Sequence, residues 1–183
     1  PIIRPFEAVT AIYGYPNYRE LDPTPWLAPF FWLFFGLCLG DAVYGIMLSL
    51  FSWWFIKTQN LEDDRFMRLL MYCGFSTILA GALTASWFGD FPVAFLKGTF
   101  IERITSSIAV LDPINDPMTL LLVSLAFGII HIWVGIIVKM VGTIRDGQLV
   151  DAILDNGSWV LFLPGLVLWG LSKAGVIQSG VGL

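Results

Sequence analysis

Three ionisable side chains sit in or beside apolar surroundings, and they are the residues with which this sequence could do chemistry. Asp41 lies within Gly36-Leu37-Cys38-Leu39-Gly40-Asp41-Ala42-Val43-Tyr44-Gly45, about halfway along a long apolar stretch, and His131, the only histidine, lies within another. Glu102 stands beside Arg103 in a shorter amphipathic segment. A carboxylate at a bilayer centre costs roughly 2.5 to 3.5 kcal/mol on insertion scales, so Asp41 has to face protein or water and be paired. It reads either as a proton-relay or channel-lining group, or as a structural carboxylate accepting hydrogen bonds from Tyr44 or from a neighbouring helix. Gly36 and Gly40 form a GxxxG face beside it and, with Tyr44 and Gly45, mark close helix packing in both cases. Gly128, His131 and Gly135 share one helical face, which directs His131 toward another helix. Histidine suits proton transfer because its charge ordinarily changes near physiological pH; the alternative is a neutral buried ring donating to a backbone carbonyl. Glu102 either lines the mouth of an aqueous path or is simply solvated at headgroup level.

Other chemistries find little support. Gly74-Phe75-Ser76 in one apolar stretch and His131 in another suggest the serine and histidine of an intramembrane protease, but Thr77 stands where a second glycine is expected and no oxyanion hole is evident. Cys38 and Cys73 cannot make a disulfide framework or a four-ligand zinc cage, so no metal site and no cofactor is expected. Asn156-Gly157-Ser158 matches a glycosylation acceptor, but it abuts an apolar run.

The elements that position these residues follow from composition. Of 183 residues, 57% belong to the set AVILMFWYC and 13% are charged, with 8 Trp and 15 Phe. That is about half the charge of an ordinary soluble chain, so the solvent is largely lipid. The net charge of −4 comes without a run of like charge, which argues against a nucleic-acid partner. The expected fold is an all-α integral membrane bundle of about four transmembrane helices with short interfacial helices. Residues 1–24 form a lead-in, and a first span covers 25–56, long enough to tilt or project from the membrane. A second span covers 66–88, with Gly81 and Ala85 as a packing face. Residues 89–116 form a loop whose apolar residues recur at helical spacing between Phe100 and Leu111, as in an interfacial helix. The third span, 117–142, is opened by Asp116 as N-cap and Pro117 at the first helical position. A connection at 143–157, with a second interfacial piece near 148–155, leads to a fourth span at 158–176, interrupted by Pro164-Gly165. Trp53, Trp54 and Trp87 fit interfacial anchoring. Starting at Pro1 without a basic n-region or cleavage motif, the chain reads as an internal fragment or processed end.

Several motifs appear in order over the first third: Pro5-Phe6-Glu7, Tyr13-Gly14, Pro16 through Pro25, Pro29-Phe30-Phe31, Phe34-Phe35-Gly36 and Gly40 through Gly45. Phe127-Gly128-Ile129-Ile130-His131 and Gly157-Ser158-Trp159 continue the series. Together they resemble the first half of the membrane domain of the large stator subunit of vacuolar- and archaeal-type rotary ATPases, subunit a or subunit I. Val43 departs from the family, which often has glycine there. The resemblance implies a subunit that is not itself catalytic but takes part in proton translocation coupled to ATP hydrolysis or synthesis. Its implied partners are a proteolipid rotor ring, peripheral stalk subunits reached through an N-terminal domain, and the lipid bilayer, with the end before Trp26 cytoplasmic. Asp41, His131 and Glu102 become candidates for lining an aqueous half-channel. The family's essential arginine is expected elsewhere, since Arg68, Arg103 and Arg145 all flank apolar runs. From another class, half of a secondary transporter or channel with Asp41 at a midplane site is the alternative.

Overall fold

The computed structural model describes residues 2–14, 21–59, 63–89 and 116–173. A 3₁₀ turn at Arg4–Phe6 leads into α1 (Glu7–Tyr13), followed by α2 (Thr24–Leu39), α3 (Ala42–Thr58), α4 (Arg65–Leu83), α5 (Pro117–Arg145) and α6 (Ser158–Lys173). Among the described residues, three helical runs are long and apolar enough to cross a membrane: Arg65–Leu83, Pro117–Arg145 and Leu149–Lys173. The chain divides into two compact units, Pro1–Tyr15 with Asp22–Phe127, and Pro16–Leu21 with Gly128–Leu183.

Residues 25–56, expected as one continuous span, instead form two helices that reverse direction between them. The contact register along α4 shows the reversal. Going along α2, Trp32 Nε1 donates to the Tyr72 carbonyl (2.8 Å), Gly36 lies against Ser76, and the Gly40 carbonyl accepts from Thr84 Oγ1 (3.4 Å). Numbers rise together, so α2 and α4 are parallel. Going along α3, Ala42 lies against Gly81, Gly45 against Ile78, and Ser49 Oγ donates to the Met71 carbonyl (3.5 Å). Here numbers run oppositely, so α3 is antiparallel to both. The corner has a local cause. Gly40 adopts the left-handed conformation (φ 58°) that ends α2, its N–H bonding the Gly36 carbonyl, while extended Asp41 opens α3 as N-cap. At 16 and 17 residues, α2 and α3 each fall a few residues short of the ~20 that span a hydrocarbon core.

Both helices pack mainly on α4, and the packing inverts that of a soluble protein. Small and hydroxyl-bearing residues fill the seams, with Ala28, Ala42, Ser49, Ser52, Cys73, Ser76 and Thr77 all buried, while Phe51, Trp53, Trp54, Phe75 and Leu79 are at least half exposed. Lipid tails are as apolar as these aromatics, so close backbone approach and hydrogen bonding hold the helices together. Trp32→Phe, which removes the indole donor to Tyr72, is expected to cost the first unit about 1 kcal/mol in a denaturant titration. At the N-terminal end, Phe6, Val9, Ala28, Leu69 and Cys73 form a small core, and Glu7 pairs with Arg65 at 3.0 Å. Arg68 lies over Asp64 at 2.6 Å and holds that carboxyl below its ordinary range. α4 ends at Leu83, short of the expected Phe88, because Ala85 and Phe88 take positive φ (56° and 57°) in a turn that leaves the helix.

In the second unit, a single helical run begins at Leu149–Asp151, is π-helical over Ala152–Gly157 and continues as α6 through Pro164. The interfacial piece expected near 148–155 is therefore the start of this run. Asn156 Nδ2 reaches Thr143 Oγ1 on α5 at 3.5 Å, and Trp133 Nε1 on α5 donates to the Val160 carbonyl at 3.0 Å.

Candidate functional site

The most developed polar site among the described residues is the corner around Asp41. The sequence Gly-Asp makes it locally, one residue closing α2 and the next capping α3. Asp41 Oδ1 accepts from the backbone N–H groups of Val43 (2.9 Å) and Tyr44 (3.4 Å) in the first turn of α3. The remaining donors come from the turn after α4. Oδ1 also accepts from Phe88 N (3.0 Å), and Oδ2 accepts from Gly89 N (2.9 Å) and Ser86 Oγ (3.3 Å). Ala42 N donates back to the Ser86 carbonyl (3.0 Å), and the Tyr44 ring rests 5.7 Å from that of Phe88. The residue is 6% exposed.

Five donors on a carboxylate with about four lone-pair sites leave it saturated. Such a cage favours the ionised form and makes Asp41 an anchor for the left-handed turn, which positive φ at Phe88 would otherwise disfavour. Tyr44 contributes its backbone N–H to Asp41, while its side chain is about half exposed.

The glycines flanking the corner are seam residues. A Cβ on Gly36 would lie 2.7 Å from the Ser76 carbonyl oxygen, and one on Gly45 would lie 2.7 Å from Ile78 N and 2.8 Å from the Gly74 carbonyl oxygen. Gly74 and Gly81, on α4, are equally tight against Gly45 and against the Asp41–Ala42 backbone. Ser76, weighed above as a nucleophile, is buried and donates to the Trp32 carbonyl.

Asp41 belongs to the first unit and His131 to the second, where His131 is half-buried on α5. Gly128 and Gly135 share its face, but a Cβ built on either meets nothing within 4 Å among the described residues. Glu102 and the interfacial helix expected between Phe100 and Leu111 lie outside the described residues. Asn156 of the glycosylation pattern is buried, 7% exposed. Among the described residues, no group of three His, Cys, Asp or Glu side chains could hold a metal ion. The contributions of Ser86, Phe88 and Gly89 escaped the sequence reading, and only the glycine after a helix end hinted at a turn there.

No family model matches the chain. Among curated relatives, it is 31% identical over 208 aligned residues to the "A-type ATP synthase subunit I" of Methanocaldococcus jannaschii, covering 98% of this chain and 30% of that protein. The subunit of the same name from Pyrococcus horikoshii is 32% identical over 171 residues, covering 92% and 25%. A "V-type ATP synthase subunit I" of Borreliella burgdorferi is 25% identical over 162 residues, covering 82% and 25%. The chain thus spans between a quarter and a third of the length of these relatives. In sequence it is homologous, over nearly its whole length, to one segment of the A-type and V-type ATP synthase subunit I family.

Proposed function

We propose that this chain is a membrane-embedded part of the stator subunit of an A/V-type rotary ATPase. In this reading it is not catalytic itself. It builds part of the stator membrane domain beside a proteolipid rotor ring, in a complex that couples transmembrane proton passage to ATP synthesis or hydrolysis, and peripheral stalk subunits meet the rest of the subunit. The observation that carries the proposal is the match to subunit I over more than nine-tenths of the chain. Apolar helices with outward aromatics and small-residue seams support membrane residence.

Within that function the first unit is a scaffold fastened at Asp41, and His131 and Glu102 remain the candidates for an aqueous half-channel. The end carrying α1 faces the cytoplasm. Among the described residues of the first unit, every Lys and Arg (Arg4, Lys57, Arg65 and Arg68) lies at that end, and the opposite corner has none. The positive-inside tendency therefore supports this orientation. The test is mild-detergent affinity purification of the full-length native protein with mass spectrometry of what accompanies it. Recovery of a proteolipid ring and stalk subunits is expected; recovery of the protein alone or as a symmetric homo-oligomer would overturn the reading.

A further inference from the structure

α6 carries an internal proline, and the consequence falls on a carbonyl four residues earlier. Pro164 has no N–H, so the Val160 carbonyl loses the donor that an unbroken α-helix would supply. In hydrocarbon, with no water to replace it, a free carbonyl is strongly unfavourable. The structure supplies the missing donor from outside the helix: Trp133 Nε1 on α5 stands 3.0 Å from the Val160 oxygen. A tryptophan indole has one hydrogen-bonding group, and here it meets the one acceptor that the proline orphans.

We propose that Trp133, Val160 and Pro164 form a docking lock, in which α6 is held in one register against α5 by a bond that exists only because Pro164 is there. α6 runs unbroken through Pro164-Gly165, where the missing backbone bond makes it easiest to bend, and the lock lies one turn before that hinge point. On its other side the helix is π-wound over Ala152–Gly157, a geometry that stores one extra residue per turn and commonly marks functional sites. Asn156, within that π segment, reaches Thr143 on α5. The turn from Asn156 to Val160 is thereby pinned to α5 at both ends, with the π segment before it and the proline one turn after it. Rotation or sliding of α6 against α5 must break the Trp133 bond. When it breaks, the Val160 carbonyl is bare and the hinge is free to bend. The lock gives α6 two discrete arrangements, engaged and released, independently of what the subunit couples to.

The proposal makes an unusual genetic prediction, because restoring the backbone donor should make the indole dispensable. In the full-length protein in nanodiscs, without its native cysteines, spin labels at Ile132 and Leu168, both exposed, report the α5–α6 distance. Trp133→Phe is expected to broaden that distance distribution and lower the thermal midpoint. Pro164→Ala alone should leave the distribution narrow, and Trp133→Phe in the Pro164→Ala background should restore it and recover most of the lost midpoint. Equal effects of Trp133→Phe in both backgrounds would show that the ring acts by packing alone and would overturn the lock. If Trp133→Phe cannot be recovered from membranes, rescue of its yield by Pro164→Ala supports the proposal, and failure to rescue overturns it.

Discussion

Asp41→Ala should lower the unfolding free energy of the first unit by about 3 kcal/mol, from loss of an N-cap worth about 1 kcal/mol and of the acceptor for two backbone amides in the turn after α4. Asp41→Asn should fall about midway. Its amide oxygen can still accept from Val43 and Phe88, but its NH₂ then faces the Gly89 N–H, donor against donor. Ser86→Ala, which removes a single longer bond at 3.3 Å, should cost under about 1 kcal/mol. Denaturant titration of the purified protein in detergent, alongside proton transport by the assembled complex, checks the series. The anchor role predicts that transport falls only as far as stability and assembly fall. A stable, fully assembled Asp41→Asn variant that passes no protons would make the carboxylate a relay.

Gly81→Ala should be nearly as damaging. The added methyl group would stand 2.6 Å from the Asp41 carbonyl carbon and against the backbone of Ala42, neither of which can rotate away as a side-chain end could. Relief requires α3 to back off α4, at a cost of about 3 kcal/mol. Gly45→Ala, pressed against Ile78 N and the Gly74 carbonyl, should behave alike. Gly128→Ala and Gly135→Ala provide the contrast. Among the described residues, open space surrounds both Cβ positions, so each should leave the chain's own stability unchanged or raise it by up to about 1 kcal/mol through helix propensity. The same titration ranks all four. Should the α5 alanines weaken the assembled complex while sparing the isolated chain, the partner that covers this face lies in the complex.

Much of this architecture is legible in the sequence, and the exceptions share a cause. Apolar run length locates α4, α5 and α6 because hydrocarbon thickness sets a minimum that few other constraints imitate. The Asp116 cap is readable since its geometry is local, and Thr119 N does donate to its Oδ1 at 3.2 Å. The corner between α2 and α3 is written just as locally, as a glycine that closes one helix followed by an aspartate that caps the next. It is overlooked because the apolar run continues through it, and run length says nothing of direction. The role of Asp41 divides in the same way. Its bonds to Val43 and Tyr44 are within reach of sequence reasoning, whereas those to residues 86–89 depend on which helix α4 packs against. The proline in α6 is visible as an interruption, but the indole that compensates it sits 27 residues before the Val160 carbonyl and only folding brings it there.

The reversal at Gly40–Asp41 also dictates an order of assembly. Ser86, Phe88 and Gly89, which saturate the carboxylate, follow it in the chain by 45 to 48 residues. A chain made from its N-terminus and inserted as it emerges therefore delivers the α2–α3 hairpin to the bilayer with Asp41 holding only its own capping bonds. The helix pair is incomplete at that moment, since its small-residue faces also await α4. Arrival of α4 closes both seams and brings the turn onto the carboxylate together. Biogenesis of the first unit is thus committed by α4, and truncation before Arg65 leaves a hairpin whose corner carboxylate lacks three of its five donors.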